Sequence, residues 1–121
     1  MTINNKAFMS RLNDITYKNP FNPIEMIFQN IAAIEAREFD GVIRITSIRS
    51  FERSKKHGSM ALKALTTLAD ELNVTLSLFP KAFDTGSKGL STIQLKKWYA
   101  RNGFKAIEFG DMVRQPKRKE S

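Results

Sequence analysis

The sequence predicts an α/β chain, with a mixed α+β sheet, in one domain over residues 1–121. Three observations support this prediction: a hairpin signal at Asp40-Gly41, a strand–helix–strand pattern over 42–79, and two short apolar segments near the C-terminus. The chain has 121 residues, of which 41% are hydrophobic, so one core without disulfide support is expected. Residues 115–121 are predicted to form a flexible basic tail.

The first forty residues are predicted to contain two helices and the first strand. Apolar residues at helical spacing predict a helix over 5–15. Asn22 then suits an N-cap and Pro23 the first helical position, which predicts a second helix. Its apolar positions follow the spacing i, i+3, i+4, i+7, at Ile24, Ile27, Phe28 and Ile31. A strand over 33–39 is predicted after it, because Asp40-Gly41 is a typical two-residue hairpin turn.

The strand predicted over 42–50 has an irregular pattern. Ile43 and Ile45 share one face, whereas Ile48 has the opposite parity. One extra residue near Thr46-Ser47, a β-bulge, would return Ile48 to the face of the other two, and bulges bend strands near binding sites. A strand buried on both faces is the alternative that this pattern leaves open.

The middle of the chain is predicted to form a βαβ unit. Apolar residues at helical spacing predict a helix over 58–72, and Asn73 suits a left-handed position at its end. Alternating apolar residues predict a strand over 74–79. Two strands joined through a helix are parallel and make a right-handed crossover.

The C-terminal third is predicted to contain one more helix and a short hairpin. Ser91 and Gln94 form a capping box, which predicts a helix that begins there and ends at Asn102-Gly103. Segments 104–107 and 112–114 are predicted to pair as the last hairpin.

Composition and charge exclude several classes of protein. The chain has no cysteine and one histidine, which argues against disulfides, zinc and Fe–S centres and cysteine nucleophiles, so no metal is expected. It also lacks an apolar run of membrane-spanning length, and we expect a cytoplasmic protein. The net charge is +8, and the whole excess of basic residues lies in 41–121. This asymmetry favours an anionic partner, which can be nucleic acid, a phosphate-bearing ligand or an acidic protein.

A basic loop between the bulged strand and the following helix is the first candidate site. Backbone N–H groups at such a helix start, together with the helix dipole, bind phosphate. Lys55 and Lys56 add charge, Gly58 allows close approach of the backbone, and Ser59 can donate a hydroxyl. A merely solvated basic loop is the alternative.

The second motif is Tyr99-x-x-x-Gly103-Phe104, on a helix that runs into a strand. Together, the two motifs resemble the GNAT (Gcn5-related N-acetyltransferase) superfamily, in particular compact phage-borne acetyltransferases. In the family's loop frame Arg-Gly-x-Gly-x-Gly-Ser, this chain matches Arg53, Gly58 and Ser59, whereas Ser54 and Lys56 replace two glycines. The resemblance covers about 41–104, the acyl-CoA-binding core, with an early strand of the fold missing from 1–40.

The resemblance implies a GNAT-like acyl-CoA N-acyltransferase fold and an acetyl-CoA site. The pantetheine arm would lie where the bulged strand parts from the strand 74–79, and would bond to the backbone of Ile48, Arg49 and Ser50. An N–H near Arg49 would polarise the thioester carbonyl. The diphosphate would be held by the loop residues Arg53, Ser54, Lys55, Lys56, His57, Gly58 and Ser59.

Tyr99 matches the general acid that protonates the leaving thiolate. A core aromatic residue is the alternative reading of its helical spacing. No carboxylate lies on the strand 42–50, so Glu52 is the candidate general base, and a surface charge is its alternative reading. Ser77 could instead orient a water molecule.

The predicted function is transfer of an acetyl group from acetyl-CoA to an amine by direct attack. The basic surface favours a protein amine or an anionic, nucleic-acid-associated acceptor over a polyamine. The resemblance also implies a phage-encoded protein in the host cytoplasm. The chain is expected to be a monomer, or a homodimer if the exposed strand edge or the first helices pair. The alternative is a non-catalytic module that binds nucleic acid or protein on the same scaffold through basic residues, namely Lys96, Lys97, Arg101, Arg114, Lys117, Arg118 and Lys119.

Overall fold

The computed structural model describes residues 2–51, 57–80 and 92–117. These residues form three α-helices, α1 (Ile3–Asp14), α2 (His57–Leu72) and α3 (Thr92–Arg101). They also form seven strands: β1 (Thr16–Asn19), β2 (Asn22–Phe28), β3 (Ala32–Phe39), β4 (Val42–Ser50), β5 (Leu76–Leu78), β6 (Lys105–Ala106) and β7 (Met112–Arg114).

All seven strands belong to one mixed sheet with the order β1-β2-β3-β4-β5-β7-β6. Neighbouring strands are antiparallel except β4 and β5, which are parallel and joined through α2. The predicted hairpin at Asp40-Gly41, the βαβ unit and the last hairpin are therefore confirmed. The sequence did not predict that β7 inserts between β5 and β6.

The predicted second helix is wrong, because residues 22–28 form β2 instead. Met26 and Phe28 belong to the main core, and Ile27 is buried on the other face of the strand. Burial on both faces produced an apolar spacing that coincides with the helical period. Gln29 and Asn30, both with positive φ, then make a tight turn into β3, closed by a 3.0 Å bond from Ile31 N to Phe28 O.

The β-bulge predicted in β4 is confirmed. Glu35 of β3 lies opposite Ser47, whereas the next residue, Ala36, lies opposite Ile45. Thr46 therefore has no register partner on β3. The extra residue returns Ile48 to the face that carries Ile45, as the parity of the sequence indicated. Ile48 packs against the main core from that face.

The core lies between α1, α2 and one face of the sheet, which we call the helical face. Its sheet residues include Ile43 and Ile45 of β4 and Leu76 and Leu78 of β5. The opposite face of the sheet carries the intervening polar residues of these two strands. The α2 residues packed against the helical face are Ala61, Leu62, Leu65, Leu68 and Ala69.

The remaining predicted boundaries are close to those observed. Helix α1 begins two residues earlier than predicted, where the hydroxyl of Thr2 accepts a 3.0 Å hydrogen bond from Asn5 N. Asn73 ends α2 with a φ of 58°, as predicted. Strand β5 is shorter than predicted, and the capping residue Ser91 lies outside the described residues.

A buried arginine fastens the C-terminal strand to two helices. Arg114 of β7, 3% exposed, donates two hydrogen bonds of 2.8 and 2.9 Å to the carboxylate of Asp70 on α2. Its Nε donates a third, of 2.9 Å, to the carbonyl of Asn102 at the end of α3. These bonds fix the C-terminal end of α3 relative to the sheet.

Candidate functional site

A cleft opens where β4 and β5 part. The two strands pair over three positions, the last of which joins Ile45 to Leu78. Strand β5 ends there, whereas β4 passes the bulge at Thr46 and continues to Ser50, paired with β3 alone among the described strands. Beyond the bulge, the backbone of β4 therefore faces an opening instead of a strand.

Helix α3 closes the other side of this opening. The resulting cleft has a volume of about 280 Å³. It is lined by Arg44, Ile45, Thr46, Ser47 and Ile48 of β4, by Leu78 and Phe79 at the end of β5, and by Leu95, Trp98 and Tyr99 of α3. Two motifs that are about fifty residues apart in the sequence, the bulged strand and the tyrosine helix, thus line one cavity.

Tyr99 lies among aromatic side chains at the wall of the cleft. The centre of its ring lies 4.9 Å from the ring centre of Trp98 and 5.6 Å from that of Phe104, and the Tyr99 and Phe104 rings meet edge to face. Burial raises the pKa of Tyr99 to about 12, because the ionised phenolate loses its hydration there. The hydroxyl therefore keeps its proton at neutral pH, and it makes no hydrogen bond with any residue that the structure describes.

The first residues of α2 contact this aromatic group. The indole N–H of Trp98 donates a 3.2 Å hydrogen bond to the hydroxyl of Ser59. A Cβ added to Gly58 would lie 3.8 Å from the Trp98 ring, which is an ordinary contact, so a side chain at this position would fit. The Nδ1 of His57 is buried and has no hydrogen-bond partner among the residues that the structure describes.

The other residues of the predicted phosphate loop lie outside the described part of the chain. These are Glu52, the candidate base, and the loop residues Arg53, Ser54, Lys55 and Lys56. Their roles therefore stay predictions.

Of the three predicted pantetheine contacts on β4, Ile48 lines the cleft. The side chain of Arg49 bonds to Glu25, with N–O distances of 3.1 and 3.3 Å, and its guanidinium lies 5.3 Å from the centre of the Phe51 ring. The predicted role of the Arg49 backbone stays a prediction. This arginine holds the pKa of Glu25 below its usual range. Ser50, the last residue of β4, pairs with Ala32.

One feature of the site was not predicted from the sequence. Arg44 lines the cleft and forms a bidentate ion pair with Asp111, with N–O distances of 3.1 and 3.3 Å. The ion pair joins residues 67 positions apart, so no local pattern in the sequence could have indicated it. Ser77, considered as a water-orienting residue, is 5% exposed, and its hydroxyl has no hydrogen-bond partner among the described residues, so its role stays a prediction.

Two classes of feature are absent from the described ranges 2–51, 57–80 and 92–117. They contain no group of three or more acidic, histidine or cysteine side chains placed to hold a metal ion. No helix in these ranges has both the length and the apolar character needed to cross a membrane.

Comparison with known proteins supports the fold. The chain matches no protein-family model and no curated protein sequence. Among solved structures, it is similar to the crystal structure of anti-CRISPR protein AcrVA5, with a TM-score of 0.58 and 16% sequence identity. The similarity covers 72% of this chain and 93% of that chain. The seven-stranded mixed sheet with three helices is compatible with a GNAT-like fold.

Proposed function

We propose that this chain is an N-acetyltransferase that moves the acetyl group of acetyl-CoA to an amine by direct attack. The observation that carries the proposal is the cleft between the diverging strands β4 and β5, with the Tyr99 hydroxyl, protonated at neutral pH, in its wall. Cleft and tyrosine come from separate parts of the sequence, and both are needed for the predicted chemistry.

The chemistry of the cleft suits an acyl-CoA arm. Beyond the bulge, none of the described strands pairs with β4 on the cleft side, so its edge can bond to the two amides of a pantetheine chain, as in strand addition. Ile48, Leu78 and Phe79 supply apolar contacts for its methylene groups. Trp98, which lines the cleft, bonds to Ser59 in the first turn of α2, and the basic loop before this turn would hold the diphosphate.

In the proposed reaction, the amine attacks the thioester carbonyl and a backbone N–H near Arg49 stabilises the developing oxyanion. The carbon–sulfur bond then breaks, and the leaving sulfur takes the proton of the Tyr99 hydroxyl. A thiol has a pKa of about 8.5, well below the value of about 12 for Tyr99, so the Tyr99 phenolate is a strong base and does not persist. It takes up the proton that the attacking nitrogen loses, and the products are the amide, the free thiol and a reprotonated Tyr99.

The alternative, a non-catalytic module that binds nucleic acid, is favoured by a different observation. Lys96, Lys97 and Arg101 are exposed on α3, and no acidic residue lies in this helix. Three cations on one short helix suit phosphate contacts, and the resulting affinity would fall steeply with salt. Such a module would not depend on Tyr99.

The experiment measures thermal unfolding with acetyl-CoA, CoA and ATP, and then turnover by Tyr99→Phe. A ligand at a hundred times its Kd stabilises the fold by about 2.7 kcal/mol, which is a shift of several degrees. We expect this shift with acetyl-CoA and CoA and none with ATP. Tyr99→Phe should keep the shift and lose a factor of about 10²–10⁴ in kcat.

Tyr17→Phe is the matched control, since Tyr17 is the other tyrosine of the chain and lies on β1, where it bonds to Asn30. This variant should keep full activity. Two results together would refute the transferase and favour the binding module. Millimolar acetyl-CoA would give no thermal shift, and the chain would bind DNA or RNA in a salt-dependent way that Tyr99→Phe leaves intact.

A further inference from the structure

Two arginines stand directly opposite each other beside the cleft. Arg37 of β3 and Arg44 of β4 are register partners on the sheet face opposite the helices. Side chains at such positions have Cβ atoms roughly 5 Å apart, and like charges placed there destabilise the sheet. An anion between the two guanidinium groups would offset this repulsion and would explain why two arginines are paired here.

Among the described residues, an acidic side chain contacts Arg44 and none contacts Arg37. Arg44 is held by both carboxylate oxygens of Asp111, which fixes the plane of its guanidinium. Arg37 has neither a hydrogen bond nor an ion pair with the residues that the structure describes. The group of Arg37, Arg44 and Asp111 therefore has a net positive charge, with N–H donors left over on both guanidinium groups.

The position of the pair relates it to the proposed reaction. Arg44 precedes Ile45, the last β4 residue paired with β5, so it lies at the closed end of the cleft whose wall contains Tyr99. Ser77 is the register partner of Arg44 on β5, and its buried hydroxyl has no hydrogen-bond partner in the part of the chain that the structure describes. Buried polar groups without partners are rare in native proteins, and they indicate a role or a missing ligand.

We propose that Arg37 and Arg44 form a subsite for an anionic group, a carboxylate or a phosphate, on the acyl acceptor. The inference rests on the proposed function and specifies its substrate class. The acceptor is an amine that carries a negative charge within reach of the cleft. Polyamines are poor acceptors, because their second ammonium group would meet the two guanidinium groups.

The test titrates the full chain with sodium phosphate and, separately, sodium acetate, at constant ionic strength set with chloride. Nitrogen–proton NMR of the arginine Nε–H groups reports binding at each arginine. We expect the signals of Arg37 and Arg44 to shift and saturate with one or both anions, and the comparison between the two identifies the preferred group. Arg49 is the internal control, because it lies on the same face and is already bonded to Glu25.

Variants then separate a built subsite from general attraction to a basic protein. Arg37→Gln should raise the apparent Kd measured at Arg44 at least tenfold, whereas Arg11→Gln, which removes an exposed arginine of α1, should leave it unchanged. Because Arg37→Gln removes a like-charge contact, it should unfold no more easily than the wild type. Shifts that are linear in anion concentration and similar at all arginines, or a Kd that Arg37→Gln leaves unchanged, would overturn the subsite.

The outcomes for the subsite and for the transferase are distinguishable. If the anions bind at Arg37 and Arg44 but acetyl-CoA gives no thermal shift, the proposed function fails and an anion site remains. If acetyl-CoA binds and the arginine signals do not respond, the transferase proposal stands and the anionic acceptor is refuted.

Discussion

Replacing Asp70 by alanine should destabilise the protein far more than replacing its neighbour Glu71. Asp70 balances the charge of Arg114, whose side chain is 4% exposed, through bonds of 2.8 and 2.9 Å. Removing one partner of a buried ion pair leaves an uncompensated charge and costs about 3–5 kcal/mol. In a domain of this length, that loss lowers the unfolding midpoint by about 10–20 °C.

Glu71→Ala is the matched control on the same helix. Glu71 pairs with Arg11 at 3.5 Å, with the two side chains 44% and 53% exposed. Exposed pairs of this kind contribute at most about 1 kcal/mol. Urea unfolding of the two variants and the wild type gives the comparison. Equal losses below about 1 kcal/mol for both variants would refute the argument that Arg114 is a buried charge in need of a partner.

The same pair predicts how stability depends on acidity. The hydrogen bonds from Arg114 lower the pKa of Asp70, against the opposing effect of burial. A carboxyl group with a lowered folded pKa stabilises the protein above its unfolded pKa of about 3.9, and this stability is lost as pH falls through the folded value. Asp70→Ala should therefore lose less stability than the wild type between neutral pH and pH values below about 4. A parallel decline in both proteins would contradict this linkage.

Three further predictions concern α3 and its contacts. Ultraviolet titration should detect a tyrosine that ionises near the pKa of about 12 of Tyr99, and Tyr99→Phe should abolish this transition; an unchanged titration curve would contradict the burial of Tyr99. Trp98→Phe and Ser59→Ala each remove the 3.2 Å bond between these side chains. Each variant should raise the KM for acetyl-CoA about 2–12-fold, which is the equivalent of one net hydrogen bond. The double variant should show no further rise. Additive effects on KM would refute the coupling between Trp98 and Ser59. Gly103→Ala should lower the free energy of unfolding, measured in urea, by about 1–3 kcal/mol. The φ of Gly103 is +94°, and the new Cβ would lie 3.1 Å from Nε of the buried Arg114. Gly58→Ala, which meets no such conflict, is its control.

The parts of the fold that could be predicted are those encoded by neighbouring residues. The bulge followed from the parity of Ile45 and Ile48 within one strand, and the first hairpin followed from a two-residue turn signal at Asp40-Gly41. The turn at Gln29-Asn30 also has a positive φ at both positions, but it contains no glycine. It was missed, and β2 was assigned to a helix.

The parts that could not be predicted depend on contacts between distant segments. The Tyr99 motif could be found locally, because the tyrosine, the C-terminal glycine and the following phenylalanine are within six residues. The pairing of Arg37 with Arg44 follows from the two-residue turn at Asp40-Gly41, whereas the ion pair between Arg44 and Asp111 required the insertion of β7 beside β5. This ion pair leaves no periodic signal in the sequence.

The bulge decides which residues of β4 face the core beyond Ile45. If Thr46 took a regular place in the ladder, Ile48 would turn away from the core and Arg49 would turn into it, since side chains alternate with a period of two. Deletion of Thr46 would instead leave Glu35 opposite Ser47 in an unbroken ladder, so the same residues would face the core and the local bend would be lost. The extra residue therefore sets the course of β4 beside the cleft, while the parallel pairing of Ile43 and Ile45 with β5 does not depend on it.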